Sequence, residues 1–111
     1  MDQGNVYLVN LDPVIRTEIG KTRPGVILSR NAMNHHSPRV LVAPMTSNVA
    51  KVYPFEVLVP KGAAGLNKDS KIMLDQIRSL DKRRLVKKIG TLDRNILSSA
   101  IEALQRLVSV E

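Results

Sequence analysis

An arginine beside a proline, a hydroxyl cluster, an aspartate and a run of cations are the residues here best suited to chemistry. Arg23 precedes Pro24 where a polar segment gives way to an apolar run, so its backbone is restrained while its guanidinium projects from a loop edge. A planar, permanently charged fork matches a phosphate better than an ammonium does. The alternative is a surface ion pair with Glu18. Thr46-Ser47-Asn48 follow an apolar run and Pro44, putting two hydroxyls and an amide at a strand exit, where they bind phosphate oxygens or form a turn. Asp75 sits between Leu74 and Gln76 in a strand-like stretch, a setting that demands solvent or a partner, and Arg78 is close by in sequence. Arg78, Lys82, Arg83, Arg84, Lys87 and Lys88 either line a phosphate track or form a solvated face.

Other chemistries are disfavoured by what is missing. Gly20-Lys21-Thr22 ends like a phosphate-binding loop, but the earlier glycine of that pattern is Ile15, and Pro24 with Val26-Ile27-Leu28 announces a strand where a helix should start. His35-His36 have no helical His/Glu companion and read as a surface loop, with a weak RNA contact left open. No metal site and no cofactor are expected. Cysteine is absent, which removes disulfides and thiolate ligands. Tyr7, Tyr53 and Phe55 are the whole aromatic set, too few for a sheet-borne base-stacking platform. Tyr7 and Phe55 are assigned to the core, and Tyr53 could stack a single base. Lys and Arg total 17 against 10 acidic residues, a formal charge of +7, which suits a polyanion, an acidic protein or simple solubility.

The elements that must hold these residues read mainly as β. At 111 residues one domain, 1–111, is expected. Val6–Leu11, Gly25–Leu28, Val40–Ala43, Phe55–Val59 and Lys71–Ile77 are short apolar runs punctuated by Pro and Gly, which predicts a small barrel or sandwich. Polar connections at residues 16–24, 31–39 and 61–70 are the places for function. Ile96, Leu97, Ala100, Ile101, Leu104, Leu107 and Val108 recur at helical spacing, with Asp93 as N-cap and Gly90 as the break upstream. The basic run from Asp81 to Lys88 joins the last strand to this helix. The N-terminus shows no basic-then-apolar segment and no stretch approaches the ~18 residues of a membrane span, so a cytoplasmic protein is expected.

Taken together the residues resemble a known family. Tyr7-Leu8-Val9-Asn10-Leu11-Asp12-Pro13, with Glu18 and Gly20-Lys21-Thr22-Arg23-Pro24, is similar to the N-terminal signature of MazF/PemK toxins. Ala43-Pro44-Met45-Thr46-Ser47 and Tyr53-Pro54-Phe55-Glu56-Val57 resemble the family's middle, and Leu74-Asp75-Gln76-Ile77-Arg78-Ser79-Leu80-Asp81 its late strand and turn. The likeness runs from about Gly4 to the C-terminal helix, and the order and spacing of the fragments make it specific. It implies an SH3-like barrel with appended helices, an α+β fold, assembled as a homodimer. It implies metal-independent cleavage of single-stranded RNA by 2′-OH attack, leaving a 2′,3′-cyclic phosphate. The partner implied is a cognate antitoxin whose acidic flexible tail occupies the RNA groove. The resemblance puts catalytic roles on Arg23 and Thr46, with Glu18 and Asp75 as the acidic members. Lys21, Thr22, Ser47, Asn48, Tyr53, Gln76, Arg78 and Arg83 are the RNA-binding candidates around them. Some members carry an arginine two residues before the aspartate; here that position is Met73, which shifts weight to Arg23. Two alternatives stay open: an RNA-binding barrel without catalysis, and a CcdB-like gyrase inhibitor. Those inhibitors rely on a C-terminal tryptophan, whereas this chain has no Trp.

Overall fold

Val6 and Val9 point to opposite faces of the first strand, yet neither exposes any surface. Both faces of the sheet are therefore covered. The structure, a computed structural model, describes residues 1–111. The strands are β1 (Asn5–Asn10), β2 (Thr22–Ile27), β3 (Arg39–Thr46), β4 (Glu56–Val59), β5 (Ser70–Met73), β6 (Arg78–Asp81) and β7 (Leu85–Thr91). A short helix α1 (Asn31–Asn34) precedes β3, and α2 (Arg94–Leu107) ends the fold. Three 3₁₀ turns, Ala63–Gly65, Leu74–Gln76 and Lys82–Arg84, join the later strands.

All pairings are antiparallel, in the order β4-β5-β3-β2-β1-β7, with β6 also on β3. The 8-residue strand β3 is the hub. It pairs with β2 along one edge and with β6 and then β5 along the other. Leu28 N donates to Leu41 O at 2.9 Å, which fixes the phase of the β2–β3 ladder. By alternation Pro44 then turns its donorless nitrogen toward the opposite edge. There residues 73–77 leave the ladder as the Leu74–Gln76 turn. The continuous strand expected over Lys71–Ile77 is thus split, and Asp75 stands exposed on a turn. The connecting basic run also differs from expectation. Its second half is the strand β7, which contains Gly90 rather than breaking there.

One core lies between the sheet and α2, built on Val6, Val26, Ala43, Met45, Ile72, Leu74, Ala100 and Ala103. The other fills the curl of the sheet, with Val9, Leu11, Ile27, Val40, Val42, Leu80 and Leu85. The expected barrel does not close by hydrogen bonding, since β6 and β7 do not pair with each other. Closure is made in three other ways. The Lys82–Arg84 turn spans β6 to β7 covalently. Arg78 donates to Leu11 O, and Arg84 to Asn10 O and Asp12 O. The Ala63–Gly65 turn crosses β7 so closely that a Cβ on Gly65 would lie 1.8 Å from Ile89 O. Two register shifts against β1 leave Val86 and Ile89 of β7 without a partner in the ladder.

Helix α2 begins as its sequence predicts: the Asp93 carboxylate accepts from Ile96 N at 2.8 Å. Asp93→Ala should lower stability by about 1 kcal/mol, read as a lower melting temperature by circular dichroism; an unchanged melt would show the cap to be idle. The stripe buries Ala100 and packs Ile96, Leu97, Ile101 and Leu104 on the core, Ala103 is buried beside it although the stripe omitted it, and Leu107 and Val108 at its end are exposed. Tyr7 and Phe55, expected in the core, are half-buried. His35 pairs with Asp2 at 2.8 Å on the surface, and that contact holds the Asp2 carboxyl below its ordinary range. No helix is long and apolar enough to cross a membrane.

Candidate active site

Gly25 and Pro44 are the last paired residues of the β2–β3 ladder on that side. Arg23 lies two positions before Gly25 and Thr46 two positions beyond Pro44, so both side chains emerge on one face, opposite each other. Past this point β3 continues with β5, through Met45↔Ile72 and Thr46↔Lys71. Arg23 and Thr46 therefore stand in a fork between diverging strands.

A cavity of about 530 Å³ occupies the fork. Lys21, Thr22, Arg23, Thr46 and Ser47 line it on one side, and Leu66, Asn67, Lys68 and Ser70 on the other, over Leu8, Met45 and Ile89. Three cationic side chains and no carboxylate face this space. The sequence singled out the first group by residue but not Asn67, Lys68 or Ser70. Their one signal was position, in the polar connection after Gly65.

The geometry of the two central groups is specific. Arg23 Nε donates to Gly20 O at 2.8 Å, which fixes the plane of the guanidinium and leaves its terminal nitrogens without a protein partner. The ion pair with Glu18 does not form: Glu18 Oε1 accepts from Ile15 N at 2.9 Å. Thr46 Oγ1 accepts from Asn48 N at 3.2 Å, so its own proton remains free to donate. Two oriented donors, one permanently charged, can therefore meet a tetrahedral anion in this fork. The loop that leads into Arg23 is tied at its neck. Asp12 Oδ1 accepts from Lys21 N, where Lys21 adopts φ 67°, and Leu11 N donates to Lys21 O.

Glu18, Asp75, Gln76 and Arg78 gather instead in a second cavity of about 400 Å³, with Pro44 in its wall. Pro44 is two residues from Thr46, so the two spaces adjoin along β3. Gln76 Oε1 accepts from Ile19 N at 2.8 Å, binding the Leu74–Gln76 turn to the loop that precedes Arg23. Asn48 is exposed beside the first cavity, and Tyr53 and Arg83 line neither. No three His, Cys, Asp or Glu side chains are grouped to hold a metal ion.

Arg83 is engaged elsewhere. Its guanidinium and backbone N–H donate to Asp81, and this holds the Asp81 carboxyl down at about 2 rather than 3.8. The depressed value favours the carboxylate, so the contact is complete above the ordinary range and is lost as pH falls through about 2. Arg83→Ala should move the Asp81 midpoint back toward 3.8 in a carboxyl NMR titration. A midpoint that stays near 2 would mean that the backbone N–H of residue 83, which survives the substitution, holds it without the guanidinium.

Residues 2–108 match the family of PemK-like, MazF-like toxins of type II toxin–antitoxin systems, and the chain belongs to that family. It is 38% identical over 110 residues to Endoribonuclease MazF9 of Mycobacterium tuberculosis, covering 95% of this chain and 93% of the relative. To Endoribonuclease EndoA of Bacillus subtilis it is 38% identical over 104 residues, covering 93% and 90%. The crystal structure of MazF from Deinococcus radiodurans superposes with a TM-score of 0.87 at 31% identity, over 99% of this chain and 97% of the other.

Proposed function

We propose that this chain is the toxin of a type II toxin–antitoxin system and an endoribonuclease that cuts single-stranded RNA at short sequence motifs. One observation carries the reading: Arg23 and Thr46 face each other across a strand fork whose cavity presents three cations and no carboxylate. The names of the two relatives and the family description support it.

The substrate supplies the nucleophile. The ribose 2′-OH attacks the adjacent phosphorus, the P–O5′ bond breaks, and the products carry a 2′,3′-cyclic phosphate and a 5′-OH. The terminal nitrogens of Arg23 stabilise the charge gathering on the non-bridging oxygens, and the Thr46 hydroxyl donates to one of them. Asp75, with Glu18 in the adjoining cavity, accepts the 2′ proton. The leaving 5′ oxygen takes a proton from water, since a guanidinium does not give one up. Lys21, Thr22, Ser47, Asn48, Gln76 and Arg78 hold the strand on either side of the scissile phosphate. Arg83, paired with Asp81, contributes charge at the periphery.

The same basic cavity suits an acidic antitoxin tail that excludes RNA when bound, and the family description supports such a partner. The exposed Val52, Leu58 and Val86 support a homodimer, and the likeness to bacterial endoribonucleases supports action in the cytoplasm. The chemistry is tested by replacing the nucleotide on the 5′ side of a mapped cut with its 2′-deoxy form. Loss of that cut alone, with cyclic phosphate at the others, is the expected result. Cutting that persists at the deoxy position would require an outside nucleophile and overturn the scheme.

A further inference from the structure

Lys71 is a buried cation that the cleavage scheme does not use. It lies directly across the ladder from Thr46, on the same face, and keeps only 10% of its side chain exposed. Its ammonium donates to Lys51 O at 2.7 Å and to Glu56 Oε1 at 2.9 Å, and Glu56 keeps only 6% exposed. The same carboxylate oxygen accepts from Tyr53 N at 2.9 Å. Lys71 Nζ also sits 5.8 Å from the centroid of the Tyr53 ring. Tyr53 in turn stacks on Phe55, with centroids 5.5 Å apart and planes 6° from parallel. The segment after Thr46 is thus pinned at both its backbone and its ring.

A pinned tyrosine would normally be covered, yet Tyr53 keeps 48% of its surface open. An aromatic ring held still and left in water, beside the lysine that lies one cross-strand step from a phosphate-binding hydroxyl, is suited to a flat apolar ligand. A π-face offers that to any nucleobase without regard to sequence.

We infer that Tyr53 is a stacking shelf for a nucleobase next to the phosphate held at Thr46, and that the Lys71–Glu56 pair is the positioning device that sets it. This rests on the proposed ribonuclease reading. Binding and cleavage are therefore read separately.

The chain has no Trp, so in a Tyr7→Phe background Tyr53 is the sole tyrosine fluorophore. The probe is a 2′-O-methyl single-stranded RNA of randomised sequence, which lacks the nucleophile and stays intact. Its titration should quench Tyr53 emission in parallel with binding. Tyr53→Leu should weaken binding about tenfold, the size of one lost base stack. On cleavable RNA the same variant should raise KM and leave kcat within about twofold, because the stack is present before and during reaction.

Replacing both members of the pair, Lys71→Met with Glu56→Leu, avoids leaving a buried charge alone and should preserve the fold. That variant should weaken binding as Tyr53→Leu does, and adding Tyr53→Leu to it should weaken binding no further. Additive losses would show that Lys71 and Glu56 act on stability and not through the ring. Binding without quenching, or binding unaffected by Tyr53→Leu, would overturn the shelf even if wild-type protein cleaves RNA. Quenching and tenfold loss in a protein that cleaves nothing would support the shelf and overturn the ribonuclease reading.

Discussion

Arg23→Ala should cut RNA about 10²–10³-fold more slowly than wild type, the loss expected when one oriented donor is removed from a developing oxyanion. The fold should survive. Arg23 is only half-buried and its sole side-chain hydrogen bond within the protein is Nε to Gly20 O, so the stability change should stay near 1 kcal/mol or below, about one hydrogen bond's net worth. Arg23→Lys separates charge from shape. A lysine keeps the positive charge but not the bond that orients the fork, nor two donors aimed together. Lysine should therefore restore binding of RNA more fully than turnover. Near-wild-type kcat in Arg23→Ala, with a normal circular dichroism spectrum, would remove Arg23 from the reacting centre. Equal kcat in Arg23→Lys and wild type would reduce it to a generic charge.

Gly65→Ala should be the most destabilising small substitution in the chain. Gly65 has φ +76°, and a Cβ there would sit 1.8 Å from Ile89 O and 2.7 Å from Ile89 C, both backbone atoms that no rotamer change can clear. Overpacking of this kind costs about 1–3 kcal/mol, and the left-handed backbone adds about 1 kcal/mol. Together these should lower the melting temperature by roughly 10 °C or more. Gly90 lies on the other side of the same crossing, where a Cβ would be 2.2 Å from Ala64 O. Gly65→Ala and Gly90→Ala should therefore combine less than additively. Gly62 is the internal comparison: its φ is +90°, but nothing lies within 4 Å of its would-be Cβ, so only the backbone strain remains. A Gly65→Ala protein as stable as Gly62→Ala would mean that the crossing does not close the fold. Because Gly65 leads into Leu66, Asn67 and Lys68 of the cavity, activity should fall with stability.

These two substitutions mark what the sequence makes legible. Helix α2 and its Asp93 cap are local matters of spacing and a single side chain, and both are present as read. Arg23 and Thr46 stood out by residue type and by the likeness of their neighbourhoods to a family. Their opposition across the fork depends on the Gly25↔Pro44 register, a pairing between distant segments that no local window contains. Asp75 looked like a strand residue because Ile72, Leu74 and Ile77 carry the apolar signal. The break comes from Pro44, far away in sequence, which offers no donor to that edge. Strand β7 was hidden because Val86, Lys87 and Lys88 are all exposed and its register shifts erase alternation. Lys71 was unreadable for another reason. A lysine in a strand ordinarily marks the solvent face, and only the tertiary placement of Glu56 makes a buried ammonium tolerable. Closure by a glycine crossing leaves no periodic trace at all.

Whether this fork cuts RNA through Arg23 and Thr46 is decided on one long single-stranded RNA in excess EDTA. Wild type, Arg23→Ala and Thr46→Ala are incubated in parallel and every product end is mapped. Discrete fragments ending in cyclic phosphate with wild type, and intact RNA with both variants, is the predicted result. Uncut RNA with wild type across many sequences, or the same fragments from all three proteins, would contradict it.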